Sequence, residues 1–289
     1  MATTTETITK TANNVATTPD LPSPFASRYE IRRLTEKDIP VAAAIMLHTN
    51  IFSSTVWTHV YPEHSTRLNI IYDGMPAADY LVRHQVLSGH SFGVFDTEYR
   101  YRTSSAEAAA GELQWDLTNR PDLTAEELDA QIDSPIMSIA LSYDGFNPLD
   151  MSKLAALIGL LPLYGAIFHR FDTTDPRDPE SYKPTAEKQI LMRNSTSTRV
   201  PAQGLGIMSK MANWLMLYAQ KQGFKHINIE AFSEVVGQVW RNPKGKGMSA
   251  IEPTAFRVED FKAVNEKGEI YRPFGEKCVQ RVCRVFVNL

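Results

Sequence analysis

Apolar positions along this chain recur every second residue in some stretches and about every 3.6 residues in others, which predicts alternating strands and helices. Tyr29–Leu34 (YEIRRL) alternates as a strand does. Thr35-Glu-Lys-Asp38 then reads as a helix start, with Thr35 as N-cap and the Asp38 carboxylate reaching back toward it. Ile39, Ala42, Ala43, Ile45 and Met46 give that helix its apolar face. A second helix is predicted over Ala77–Leu87, and strands over Ser91–Phe95 and Ser134–Tyr143. Between those strands, Arg100–Asp133 shows little pattern beyond a helix at Thr124–Ile132, and reads as an insertion in one sheet. The most apolar run, Leu154–Phe168 (LAALIGLLPLYGAIF), contains Pro162 and falls short of the roughly 20 residues a membrane span needs. It reads as a buried helix or the wall of a substrate channel. Asp172–Pro184, rich in Asp, Pro, Arg and Thr, reads as an exposed loop.

The pattern sharpens toward the C-terminus. Gln189–Thr198 is a predicted strand, followed by Gln203-Gly-Leu-Gly206 and an amphipathic helix over Ile207–Gln222. Ile207, Met211, Trp214, Leu215, Leu217 and Tyr218 make its apolar positions, with Lys210 and Lys221 outside. Gly223 stands where a left-handed C-cap is expected. His226–Glu230 is a strand and Ser233–Trp240 a helix; Phe256–Phe261 and Val279–Val287 are further strands, with a turn at Asn265–Gly268. Met1–Phe25, dominated by Thr, Ala, Asn and Pro, has no signal-type apolar core and little apolar surface to offset the entropy of ordering. The expected partition is a disordered tail over 1–27 and one domain over 28–289, with insertions at about 100–133 and 172–184.

Composition narrows the choices. With 289 residues, 43% hydrophobic and 22% charged, the chain can bury a substantial core. A net charge of -3 argues against nucleic acid as the main partner. Cys278 and Cys283 are the two cysteines, with no further Cys or His at ligand spacing, so no metal site is expected. They read as small core residues of a strand in a reducing, cytoplasmic compartment.

The informative unit is strand, Gly-x-Gly, helix, strand. Gly204 and Gly206 allow a tight turn and close approach of a ligand. The helix from Ile207 then offers unpaired amides and the positive end of its dipole, together a site for a diphosphate. A dinucleotide fingerprint would need Gly or Ala where Ser209 stands. A Walker loop fails too, because Gly245-Lys-Gly247 lacks the hydroxyl residue.

With these residues in view the sequence resembles the GNAT superfamily of N-acetyltransferases, whose cofactor motif Gln/Arg-x-x-Gly-x-Gly/Ala joins its fourth strand to its third helix. Pro-Ala-Gln-Gly-Leu-Gly (201–206) supplies both glycines, and Gly223–Ala231 the following strand. Ile31–Asp38 looks like the family's first strand and helix, and Phe256–Phe261 with Gly268–Tyr271 like the sixth-strand region of arylalkylamine-type and fungal small-molecule members. The resemblance spans most of 29–289 and is strongest over 189–240. It implies an α/β fold with a mixed, mostly antiparallel sheet splayed at strands 4 and 5.

The resemblance further implies direct transfer of acetyl from acetyl-CoA to a small amine; a monomer or homodimer is expected, and the charge and the short apolar run argue against nucleic-acid and membrane partners. It places the cofactor against Thr196, Thr198, Arg199, Gln203, Gly204, Leu205, Gly206 and Ile207. Pro201 stands where the family has Arg or Gln, so Arg199 or Gln203 would take over a phosphate contact. The family's general-acid Tyr falls nearest Trp240, and the region of its arylalkylamine-type Glu reads Asn50–Thr55. Thr198, Ser233 and Glu230 are therefore the catalytic candidates, each with a plainer reading: turn residue, helix N-cap and ordinary strand carboxylate. His59, His64 and His226 are scattered. Trp57, Tyr61 and Leu160–Tyr164 read as an acceptor pocket or as core. Two alternatives stay open: a GNAT-fold protein that binds CoA or acyl-CoA but runs another reaction or none, and a module whose Gly-x-Gly turn merely caps a helix.

Overall fold

Strand β1 (Tyr29–Arg33) hands over to helix α1 (Ile39–His48) through the predicted cap: Asp38 Oδ2 accepts from the Thr35 amide at 2.7 Å and from its hydroxyl at 2.6 Å. The computed structural model describes residues 21–26, 28–264 and 267–289. After α1 come one π-helical turn (Thr49–Ser53), α2 (Thr55–Val60) and α3 (His64–Leu87). Strand β2 (Phe92–Asp96), α4 (Ser104–Ala108), α5 (Ala125–Gln131) and β3 (Ile136–Asp144) follow. The middle of the chain forms α6 (Ala155–Leu160), α7 (Pro162–Thr174) and β4 (Ile190–Thr198). The last third forms α8 (Ile207–Gln222), β5 (His226–Ala231), α9 (Glu234–Arg241), β6 (Ser249–Arg257), the short pair β7 (Ala263–Val264) and β8 (Ile270–Tyr271), and β9 (Arg281–Asn288).

Seven strands make one sheet in the order β1-β2-β3-β4-β5-β9-β6. Every neighbouring pair is antiparallel except β4 with β5. A core built on α1, α3 and α7 covers one face, and a core built on α8 and α9 covers the other. β3 is accordingly buried at all nine residues, which is why it lacks polar alternation. Met211, Trp214 and Leu215 anchor α8, each burial of this kind stabilising by about 1.5–3 kcal/mol. Gly223, at φ +85°, closes α8: the Gly223 amide bonds the Gln220 carbonyl and the Phe224 amide bonds that of Ala219.

Several expectations change. α3 begins thirteen residues before the predicted Ala77, running through Gly74 and Pro76. A Cβ on Gly74 would lie 3.2 Å from Leu47, so the glycine admits α1 rather than breaking the helix. The 154–168 run is not one buried helix. It is α6, none of whose residues is buried, and α7, bent by 119° at a break before Pro162. No single helix among the described residues is long and apolar enough to cross a membrane. The 172–184 segment is not uniformly exposed, because Asp175 is buried between Arg177 and Arg284. The strand placed at 256–261 lies earlier, as β6, and ends in a short 3-10 turn. Of the predicted 265–268 turn, Asn265 and Glu266 lie outside the described residues, as do 1–20 and residue 27 of the expected tail. Leu21 and Phe25 pack against the α8 core.

Candidate active site

The parallel pairing of β4 with β5 lasts four rungs, from Ile190 opposite His226 to Arg193 opposite Ile229. Beyond Arg193, β4 continues to Thr198 paired only with β3, while β5 runs on along β9. The sheet therefore forks. A β-bulge sits at the fork, where Ser142 pairs Arg193 and Leu141 pairs Ser195, leaving Asn194 as the extra residue. Asn194 is exposed although it belongs to a central strand.

At the far end of β4 the chain makes a 3-10 turn (Val200–Ala202) and enters α8 through a left-handed Gly206, φ +71°. Gly204 is also left-handed, φ +79°. A Cβ at Gly204 would meet nothing within 4 Å, and one at Gly206 only the Ser209 hydroxyl at 3.9 Å. The loop thus presents bare main chain to open space beside the α8 N-terminus. From there a groove of about 340 Å³ runs between α8 and α9, lined by Ser209, Lys210, Asn213, Val235, Gln238, Val239, Asn242 and Lys244.

Aromatic rings gather on the α7 face, at the end of β5. Trp57 stacks on Tyr164 with centroids 4.4 Å apart, and Phe232 lies 5.1 Å from Tyr164 and 6.4 Å from Trp57. A polar thread crosses this box: Trp57 Nε1 donates to the Tyr164 hydroxyl at 3.0 Å, and that hydroxyl donates to Asn50 Oδ1 at 3.0 Å. The Asn50 amide in turn donates to the Met46 carbonyl at 2.8 Å. Burial pushes the Tyr164 phenol well above its ordinary range, so it stays a neutral donor.

Several solved structures superpose on nearly the whole chain, among them two with TM-scores above 0.5. One is the C-terminal condensation domain of Ebony in complex with beta-alanyl-dopamine, with a TM-score of 0.61 and 16% identity, covering 91% of this chain and 99% of that one. The other is arylalkylamine N-acetyltransferase 2 from Aedes aegypti, with a TM-score of 0.54 and 11% identity, covering 90% and 98%. The chain has the GNAT fold. At these identities the likeness is one of fold. No family model and no curated protein matches the sequence.

On this GNAT scaffold the sequence candidates separate. Gln203, Gly204, Leu205, Gly206 and Ile207 form the continuous loop at the mouth of α8, with Leu205 half exposed. Thr196 and Thr198 follow the bulge on the rim of the fork, partly exposed. Arg199 departs from its expected role. It is 2% exposed, and its guanidinium is held by the Asp129 carboxylate at 3.1 Å and by the Asp129 and Ser134 carbonyls. Buried and paired in this way it faces the protein interior, while Gln203 stays exposed with its amide on the Thr198 carbonyl at 3.1 Å.

The catalytic candidates do not converge. The Thr198 hydroxyl shares a hydrogen bond with Ser138 at 2.8 Å. Ser233 is the N-cap residue of α9, but its hydroxyl makes no cap hydrogen bond. Glu230 accepts from Arg284 at 3.1 Å and from Asn228 at 2.8 Å. Arg284 also bonds Asp172 at 2.8 Å and approaches Asp175 at 3.5 Å. Trp57, Tyr61 and Tyr164 do come together, with Tyr61 stacked 6.3 Å from Trp57. Among the described residues no group of three or more His, Cys, Asp and Glu is placed to hold a metal. Sequence reasoning overlooked Arg193, the bulge at Asn194 and Phe232; the Glu230-x-Phe232 alternation would have put Phe232 on the same face as Glu230.

Proposed function

We propose that this chain is an acetyltransferase that moves acetyl from acetyl-CoA to a small amine. The observation that carries the reading is the left-handed Gly206 at the mouth of α8 beside the β4–β5 fork. The cofactor fits: two glycines leave open space where side chains would stand, the α8 amides point out of the helix, and the groove toward α9 carries Lys210 and Lys244. Bound acetyl-CoA would supply the activated acyl group. Gln203–Ile207 would hold its diphosphate, and Thr196 and Thr198 would border the arm leading into the fork. The backbone of β4 past the bulge has no strand on its β5 side and offers amides to a carbonyl. The Trp57–Tyr164–Phe232 box suits the apolar part of an amine, and Tyr164 and Asn50 suit its polar end. Much of the rate would come from holding both reactants at the fork.

The test is to incubate the protein with acetyl-CoA and a panel of aryl, aliphatic and polyamine acceptors and to follow thiol release. The reading expects release with at least one class, and no release above background with any of them argues against it. A second reading, CoA binding without acetyl transfer, draws on one observation: Glu230, the carboxylate nearest the fork on β5, is engaged by Arg284 and Asn228. Calorimetry that finds tight CoA binding alongside no turnover favours that second reading.

A further inference from the structure

Three arginines are buried among the described residues, and two of them are neutralised: Arg199 by Asp129, and Arg284 by Glu230, Asp172 and Asp175. Arg193 is not. It is 2% exposed, and no acidic group offsets its burial, which pushes the guanidinium down to about 9. One terminal nitrogen bonds the Leu141 carbonyl and the Ser142 hydroxyl, the other the Ser195 carbonyl at 3.2 Å and the Thr196 hydroxyl at 2.6 Å. All four partners are neutral, and Nε is buried with no partner. Trp240 of α9 lies 5.7 Å from the guanidinium, its own indole nitrogen equally unpartnered. Of the acidic and phenolic side chains next to its rung on the neighbouring strands, Glu230 pairs with Arg284 and Tyr143 packs on His84 of α3.

A buried cation without an acid is expensive in the free protein, and a glutamine or methionine would fill the space without that penalty. Its position gives the charge a use, because Arg193 forms the last rung before the fork. We propose that Arg193 is a positioning residue whose unneutralised charge stabilises the sulfur of the acyl donor as negative charge reaches it at the β4–β5 fork. The inference rests on the acetyltransferase reading above. In that transfer the amine nitrogen bonds the acyl carbon, the carbon–sulfur bond breaks with its electron pair going to sulfur, and the ammonium proton leaves to solvent. The guanidinium neither gives nor takes a proton. It acts through space from its buried position at the last rung, where water screens it poorly, and this would offset the absence of a tyrosine acid at the Trp240 position.

The test titrates the thiol of CoA bound to the wild-type chain, to R193M and to R193K, by thiolate absorbance. In the wild-type complex the thiol titrates about one unit below that of free CoA measured in the same buffer. R193M returns it to the free value and R193K keeps most of the shift. CoA affinity, measured where the thiol is neutral, stays within about threefold across the three proteins, while kcat of R193M falls about 100-fold at unchanged donor KM. An unshifted thiol in the wild-type complex, equal thiol titration in R193M and wild type, or equal losses in R193M and R193K overturn the inference. If R193M does not fold, R193Q takes its place; both neutral variants failing to fold marks a structural brace and overturns it too. Wild-type protein that binds no CoA sinks the acetyltransferase reading along with this one, whereas binding with an unshifted thiol sinks this one alone.

Discussion

The α8 side of the fork presents main chain to solvent, whereas the α7 side presents rings and hydroxyls. On the first side two left-handed glycines and a helix mouth lie within one short loop of the chain. On the second, the Tyr164 hydroxyl reaches Trp57 across 107 residues and Asn50 across 114. Main-chain recognition is set by backbone conformation, so few substitutions touch it, but those at the glycines remove it outright. A box of side chains degrades by degrees, because each ring carries part of the contact.

That contrast is open to attack. The largest expected effect is on the main-chain side: G204E or G206E lowers acetyl-CoA affinity at least 100-fold, about 2.7 kcal/mol, by filling the open space and straining a left-handed residue. Calorimetry reads the affinity and circular dichroism checks that the fold is kept; unchanged affinity in a folded variant breaks the main-chain account. Next comes Y164F, which strands the Trp57 donor and the Asn50 acceptor at a stability cost of about 1–3 kcal/mol. It raises the KM for the amine about tenfold and leaves CoA affinity alone. A parallel loss of CoA affinity would mean that the two sides are not separable.

The smallest effect is on pH. Each side holds a histidine whose pKa burial depresses: His90 against Tyr218 of α8, at about 4, and His48 of α1 on the Ala125 carbonyl. An unfolded histidine titrates near 6.5, so both contribute stability that is present above that pH and lost as it falls, toward about 4 for His90. Melting temperature should decline modestly between pH 7 and pH 5, and H90N should flatten the decline. A flat profile in the unmodified protein would remove His90 and His48 from the account.

What could be read from residue order follows the same division. Ile207–Gln222 and its left-handed Gly223 were legible to the residue, since period, glycine and helix end are local signals. β6 was misplaced because Pro253 argues against a strand, yet the structure keeps it at a register shift between Ile251 and Thr254 on the sheet's edge, where a missing amide does little harm. The first half of α3 was hidden by Gly74 and Pro76, whose helix-breaking tendency is overridden by packing on α1. At the candidate site, the glycine turn into α8 could be read but the commitment of Arg199 to Asp129 could not. That bond joins residues 70 apart and depends on how α5 docks.

The same Arg199–Asp129 bond bears on anyone who would shorten this protein. The segment between β2 and β3 has the sparse, irregular look of a decoration that can be cut away. Yet α5 delivers the counter-charge for the arginine that follows directly on β4, one turn ahead of the glycine loop. A minimal version lacking α5 would leave an orphaned cation at the root of that loop, so trimming the periphery would be felt at the centre.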